Sequence, residues 1–323
     1  MLERRMGRGQ FLLAYFISGI LGNMFAAFIY GTIKGETLHA LGASGAIAGM
    51  MGVFAIRCYF KNMSFPIPLL GPLNINIRMN SIVLIGFFFA GDLSKGLDQI
   101  GGENKSNIGH WIHIGGMMAG LAYAYIKGMQ HQAVIERHIE KARDILQSGV
   151  GLNDAETEVN LVLKEDPNNV EALEILAKNI KTAFGRTPQG EELYVRLIRL
   201  LLKSNPTEAA RVFKQYNENY GGLRDMQLFM KIANVFHKVT KEPEMASRCL
   251  RMIGVEGWKE DEEEDKETAR TRETALFELA TISQQTGDKN KALLYWELFV
   301  ERYPGSKSIP KATRNINKLK GKR

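Results

Sequence analysis

The chain has 323 residues, 42 Lys and Arg against 35 Asp and Glu, a net charge of +7 and a mean hydropathy of −0.17, and its length suggests two domains more readily than one. The averages conceal two unlike halves: residues 1–128 hold ten basic and five acidic residues, leaving 32 and 30 to the remainder. The basic residues flank apolar runs without interleaved aromatics, which argues against a nucleic-acid footprint, and two cysteines in separate halves, Cys58 and Cys249, exclude a disulfide framework.

Four apolar segments occupy the first half, at 11–31, 41–60, 79–93 and 108–126. A membrane-spanning helix needs about 20 mostly apolar residues; three segments meet that length and the third does so only by extending toward Gly96. Asp92 in that third segment is expected at the membrane interface, because a carboxylate at mid-bilayer is costly. The first segment reads as a span rather than a signal peptide. It exceeds the usual apolar run of about 7–15 residues and ends in no small-x-small cleavage site.

Charge sets the orientation. Arg4, Arg5 and Arg8 precede the first span, Arg57, Lys61 and Arg78 lie between the second and third, and Lys127 follows the fourth. The positive-inside tendency puts these residues and the C-terminal half in the cytoplasm, and loops 32–40 and 94–107 outside. The stretch "FPIPLLGPLNIN" (65–76) has three prolines and reads as an extended cytoplasmic loop, neither helix nor central strand.

From about residue 130 the pattern becomes helical and amphipathic. "HQAVIERHIEKARDILQS" forms a helical linker (129–150). After a turn at Pro167-Asn168-Asn169, Leu173, Leu176, Ala177 and Ile180 share a helix face. Further on, two helices divide at Gly287-Asp288, with Leu276, Leu279 and Ala280 facing Ala292, Trp296 and Phe299, and Pro304 closing the unit. Residues 151–323 thereby resemble a divergent tetratricopeptide-like α-solenoid, although "GRTPQGEELYVRLIRLLLKSNP" breaks the repeat period. The acidic run "KEDEEEDKE" (259–267) reads as a solvated connection.

Within the second span, "LGASGAIAGMMG" (41–52) carries one hydroxyl among small residues, Ser44. Gly45, Gly49 and Gly52 alone would indicate close helix packing. The fourth span adds "HWIHIGGMMAG", with His113 followed by the spaced pair Gly116 and Gly120. Ser44 lies 13 residues before Arg57 and His113 lies 14 before Lys127. At about 1.5 Å per residue, the two stand at nearly equal depth, roughly 20 Å from the cytoplasmic anchors. That arrangement suits a serine activated by an imidazole base. His110 reads as an interfacial residue and His39 as loop surface, and no His, Cys, Asp and Glu cluster has metal-ligand spacing along the chain.

Gly42-Ala43-Ser44-Gly45, then "WIHIGG" with its following small-xxx-small pair, resemble the catalytic core of rhomboid intramembrane serine proteases. "LERRMGRGQFLLAYFISGILGN" is similar to the loop and span that precede the serine helix in that family. The resemblance covers residues 1 to about 128. Together with the four apolar segments and the tetratricopeptide-like pattern of 151–323, it gives the expected fold as all-α: a polytopic bundle of four spans of a rhomboid-like core followed by a soluble helical-repeat domain. It also implies Ser44 as nucleophile, His113 as general base in a dyad without a carboxylate, and the Ser44 backbone N–H as an oxyanion donor. Gly42, Gly45, Gly49, Gly116 and Gly120 are assigned to helix packing.

Two departures accompany the resemblance. The family places two helices before the "LERR" loop, and the His and Asn oxyanion donors they supply map to no residue here, so the hole of the chain as given is expected to be incomplete. Ala48 stands where some members carry an aromatic ring against the histidine. The expected activity is hydrolysis of a peptide bond in or near a transmembrane segment, in a multi-pass protein of a bacterial inner membrane. It needs no cofactor and no metal. Expected partners are transmembrane protein substrates, the lipid bilayer and a protein or peptide ligand of the repeat domain, with no nucleic acid. The alternative is an inactive rhomboid-like anchor or scaffold presenting that domain.

Overall fold

The computed structural model describes residues 1–33, 35, 42–68, 74–102, 109–181, 183, 185–222, 225–256 and 265–321. His39, residues 69–73 of the proline-rich stretch, residues 103–107 and most of the acidic run lie outside them. The chain forms two compact units, Met1–Glu140 and Lys141–Arg323.

In the first unit a short helix α1 (Leu2–Met6) leads into α2 (Arg8–Ile33) and α3 (Ser44–Arg57). A hairpin of β1 (Asn62–Pro68) and β2 (Asn74–Asn80) follows, then α4 (Ser81–Gly101), α5 (His110–Ile126) and the start of α6 (Met129–Ser148). Three helices form the centre, with α2 and α3 both packed on α5. Glycine makes this possible by removing the side chain where backbones cross. A Cβ at Gly120 would stand 1.9 Å from the Gly49 carbonyl oxygen, one at Gly116 2.2 Å from that of Gly45, and one at Gly52 2.2 Å from that of Met117. From α2, Gly22 faces the Ile112 carbonyl and Ser18 lies against Gly49. Gly52 also approaches the Leu121 N–H, and the pairs 45–116, 49–120 and 52–121 rise together along both helices, so α3 and α5 run parallel. Gly42 differs from the other glycines: it is exposed, meets nothing within 4 Å and adopts φ 122°. Its role is conformational rather than packing.

The stretch at 65–76 departs from expectation. It contributes to an antiparallel ladder in which Asn62 pairs with Asn80, Pro66 with Asn76 and Pro68 with Asn74. In a two-stranded sheet both strands are edges, so a residue without an N–H is tolerated. Among the described residues the fold is therefore helical with one hairpin. α4 starts where Asn80 accepts a hydrogen bond from the Ile82 N–H, and it ends at Gly102 in the left-handed conformation. It continues past the expected end of the third apolar segment and takes in much of the expected outer loop.

Among the described helices, one, α2, is long and apolar enough to cross a membrane by length and composition; α3 is a shorter apolar helix. At about 1.5 Å per residue α3 spans about 21 Å, less than a hydrocarbon core of about 30 Å. The outer faces of α2 and α4 are nonetheless apolar: Leu12, Phe16, Ile20, Met24 and Phe28 on the first, Phe87 and Phe88 on the second, are all exposed. An exposed apolar surface of that extent marks an interaction with membrane or protein.

At the opposite end from Ser44, Arg57 donates to Glu136 at 2.6 Å, Arg5 contacts Glu136 and Glu140, and Lys61 pairs with Glu140. Three of the flanking basic residues, Arg5, Arg57 and Lys61, are thus tied to α6.

The second unit contains α7 (Leu152–Glu165), α8 (Val170–Ile175), α9 (Pro188–Ser204), α10 (Pro206–Asn219), α11 (Met226–Lys238), α12 (Pro243–Arg251), α13 (Lys266–Gln285), α14 (Lys289–Arg302) and α15 (Ile309–Leu319). Side-chain caps divide the chain into these pieces: Asn169, Thr187, Asn205, Asp225, Asp265 and Asp288 each accept a first-turn N–H. α8 and α12 each run on as a π-helical turn, at Leu176–Lys181 and Met252–Glu256. From α9 onward each helix packs on its sequence neighbours. Leu276, Leu279, Ala280, Ala292, Trp296 and Phe299 are all buried in one core with Leu173 and Ala177.

Candidate active site

Ser44 is the first residue of α3 and is solvent-exposed. Its N-cap, Ala43, offers no side-chain hydrogen bond, so the first-turn N–H groups have no cap and carry the positive end of the helix dipole. Next to it, Gly45 lies against Ile112 of α5, where a Cβ would be 2.4 Å from the Ile112 Cγ2. Ser44 and His113 therefore flank the same crossing, one residue from its contact pair on either helix. Among the described residues no hydrogen bond joins the two side chains, and the His113 ring is engaged elsewhere.

His113 sits in the first turn of α5, its backbone N–H bonded to the Gly109 carbonyl at 3.2 Å. Its Nδ1 lies 3.2 Å from Asp92 Oδ2, while His110 Nδ1 lies 2.7 Å from Asp92 Oδ1. One carboxylate thus accepts from two imidazoles whose ring centroids are 6.2 Å apart at 85°. His110 is 3% exposed, and its Nε2 has no hydrogen-bond partner among the described residues. Asp92, expected at the membrane interface, is paired with two imidazoles, and His110, read as interfacial, is buried in the first unit.

The surroundings make the group rigid. Trp111 Nε1 donates to the Gly96 carbonyl at 3.0 Å, and Gly96 leaves room for that ring. Tyr30 of α2 donates to Gln99 Oε1 at 3.0 Å. Asp92, Gly96 and Gln99 recur at i, i+4 and i+7, which is one face of α4. That spacing was legible in the sequence.

Asp92, His110 and His113 offer ligand atoms within 4.8 Å of one another, a constellation that linear spacing hides because the carboxylate comes from a different helix. The observed separations are those of hydrogen bonds. A tetrahedral ion with bonds of about 2.0–2.1 Å spreads its ligands to about 3.4 Å, wider than the 2.7 Å between His110 and Asp92.

Residues 1–130 match the Rhomboid domain family. Over 150 residues, 46% of this chain and 25% of the relative, the sequence is 29% identical to the rhomboid protease GluP of Bacillus subtilis (strain 168). Over 63 residues, 19% of this chain and 29% of the relative, it is 44% identical to the putative rhomboid protease YdcA of the same organism. The matched stretches span between a quarter and a third of those relatives' lengths.

Proposed function

We propose that the first unit is an intramembrane serine endopeptidase of the rhomboid type, with Ser44 as nucleophile and His113 as general base. The observation that supports this reading is the glycine-lined crossing of α3 and α5, whose Gly45–Ile112 contact lies one residue from Ser44 on one helix and one residue from His113 on the other. Ser44 Oγ attacks the scissile carbonyl carbon as its proton passes to His113 Nε2. The tetrahedral oxyanion is stabilised by the Ser44 N–H at the open end of α3. Collapse expels the amine, which takes the proton from Nε2. Water then adds to the acyl-enzyme, giving its proton to the same nitrogen, and the carboxylic acid leaves as Ser44 recovers its hydrogen. The sequence of steps consumes one water and leaves the enzyme unchanged. The missing Ser44–His113 hydrogen bond is compatible with this, because catalytic contacts in unliganded enzymes are commonly long and tighten with substrate.

In the same reading the exposed apolar faces of α2 and α4 meet lipid, α2 to α5 cross the membrane as four spans, and the shorter helices are accommodated by local thinning. The second unit is a cytoplasmic tetratricopeptide-like domain that binds a protein or peptide, and the substrates are transmembrane proteins. A fluorophosphonate probe applied to the full chain in native membranes tests the chemistry. Labelling that disappears in Ser44→Ala and in His113→Ala supports it. Absence of labelling in the unaltered chain, or its persistence in Ser44→Ala, refutes it.

A further inference from the structure

We infer that Asp92 is a positioning residue for His113, so that the site operates as a serine–histidine–aspartate array rather than a dyad. The inference rests on the peptidase reading above and adds to it a residue from a helix that carries neither Ser44 nor His113. A carboxylate inside an apolar bundle is unfavourable unless paired. Asp92 is 18% exposed at its side chain and spends both oxygens on imidazoles. By accepting from Nδ1–H of His113, it selects the tautomer whose lone pair is on Nε2, the atom required to take the serine proton. It also stabilises the imidazolium that forms when that proton arrives. The Nδ1 proton stays on His113 as the serine proton moves to and from Nε2.

His110 explains how the carboxylate is held. Its shorter contact, 2.7 Å against 3.2 Å, and deeper burial fix the second oxygen, so the oxygen facing His113 cannot rotate away. The Trp111–Gly96 hydrogen bond locks α4 to α5 along the same face. All three side chains thus stand on helices rather than loops, which is how a site holds geometry within fractions of an ångström.

The test uses the full chain purified in detergent, with selectively 15N-labelled histidine and a transmembrane peptide substrate. In the unaltered protein the His113 ring is expected as the Nδ1–H tautomer with a strongly hydrogen-bonded proton. Asp92→Asn is expected to lose that signature and to lower kcat by about 10²–10⁴-fold with KM changed by less than about threefold. Asp92→Glu is expected to recover kcat to within about tenfold of the unaltered chain, an outcome that also decides the matter if Asp92→Asn does not fold. Retention of the tautomer and of kcat in Asp92→Asn, while Ser44→Ala and His113→Ala are inactive, would overturn this role and leave the peptidase reading intact. No hydrolysis by the unaltered chain would instead remove the peptidase reading, and the role of Asp92 with it.

Discussion

Gly120→Ala adds one methyl group at the tightest helix contact in the bundle. The new Cβ would lie 1.9 Å from the Gly49 carbonyl oxygen, and real Cβ atoms do not approach such an atom closer than 3.0 Å. α3 and α5 must therefore separate locally by about 1.1 Å. The obstacle is backbone, so no rotamer change relieves it. Overpacking of this kind costs about 1–3 kcal/mol, and a displacement of about 1 Å near a reacting pair costs about 10²-fold in rate. We expect Gly120→Ala to unfold at lower temperature in detergent and to react with a fluorophosphonate about 10²-fold more slowly. Gly91→Ala is the matched control: it is also a helical glycine, but a Cβ there meets nothing within 4 Å. A Gly120→Ala protein with the thermal midpoint and labelling rate of the Gly91→Ala control would refute the claim that this crossing sets the site.

Glu136→Gln should destabilise the first unit by about 3 kcal/mol, since Arg57, 8% exposed at its side chain, is left buried without its charge partner; thermal unfolding with and without the substitution reads this. Burial pushes the Cys249 thiol up to about 12. At pH 8 about 10⁻⁴ of it is then thiolate, and native Cys249 should resist iodoacetamide in mass spectrometry until denaturant opens the second unit. Raising the pH toward 12 increases the thiolate fraction, so labelling that is complete at pH 8 without denaturant would contradict that environment. Trp296→Ala should cost about 3–5 kcal/mol, because the indole is fully buried and donates to Gln284 at 3.0 Å. Its denaturation curve should shift to lower denaturant with little change in slope.

Much of this organisation is written locally in the chain. Helix starts in the second unit follow from short polar caps such as Asn205 before Pro206 and Asp288 before Lys289, which satisfy first-turn N–H groups within three residues. The apolar spacing that includes Leu276, Leu279 and Ala280 predicts a buried face, because period alone decides which residues share one. Ser44 and His113 stand out in the sequence as polar residues among small ones, and their distances from Arg57 and Lys127 predict a similar depth for both.

Contacts between elements decided the rest. The sequence shows Asp92 as an isolated charge in an apolar run; only the packing of α4 on α5 turns it into a shared acceptor for His110 and His113. Arg5, Arg57 and Lys61 read as membrane-flanking charge until α6 brings Glu136 and Glu140 against them. The prolines at 66 and 68 speak against a strand until the ladder proves to have no central strand. Periodicity, caps and composition act over a few residues, so sequence determines them unaided. Which polar groups meet across a bundle depends on helix rotation and separation, and glycines such as Gly49 and Gly120 set those only once both helices are in place.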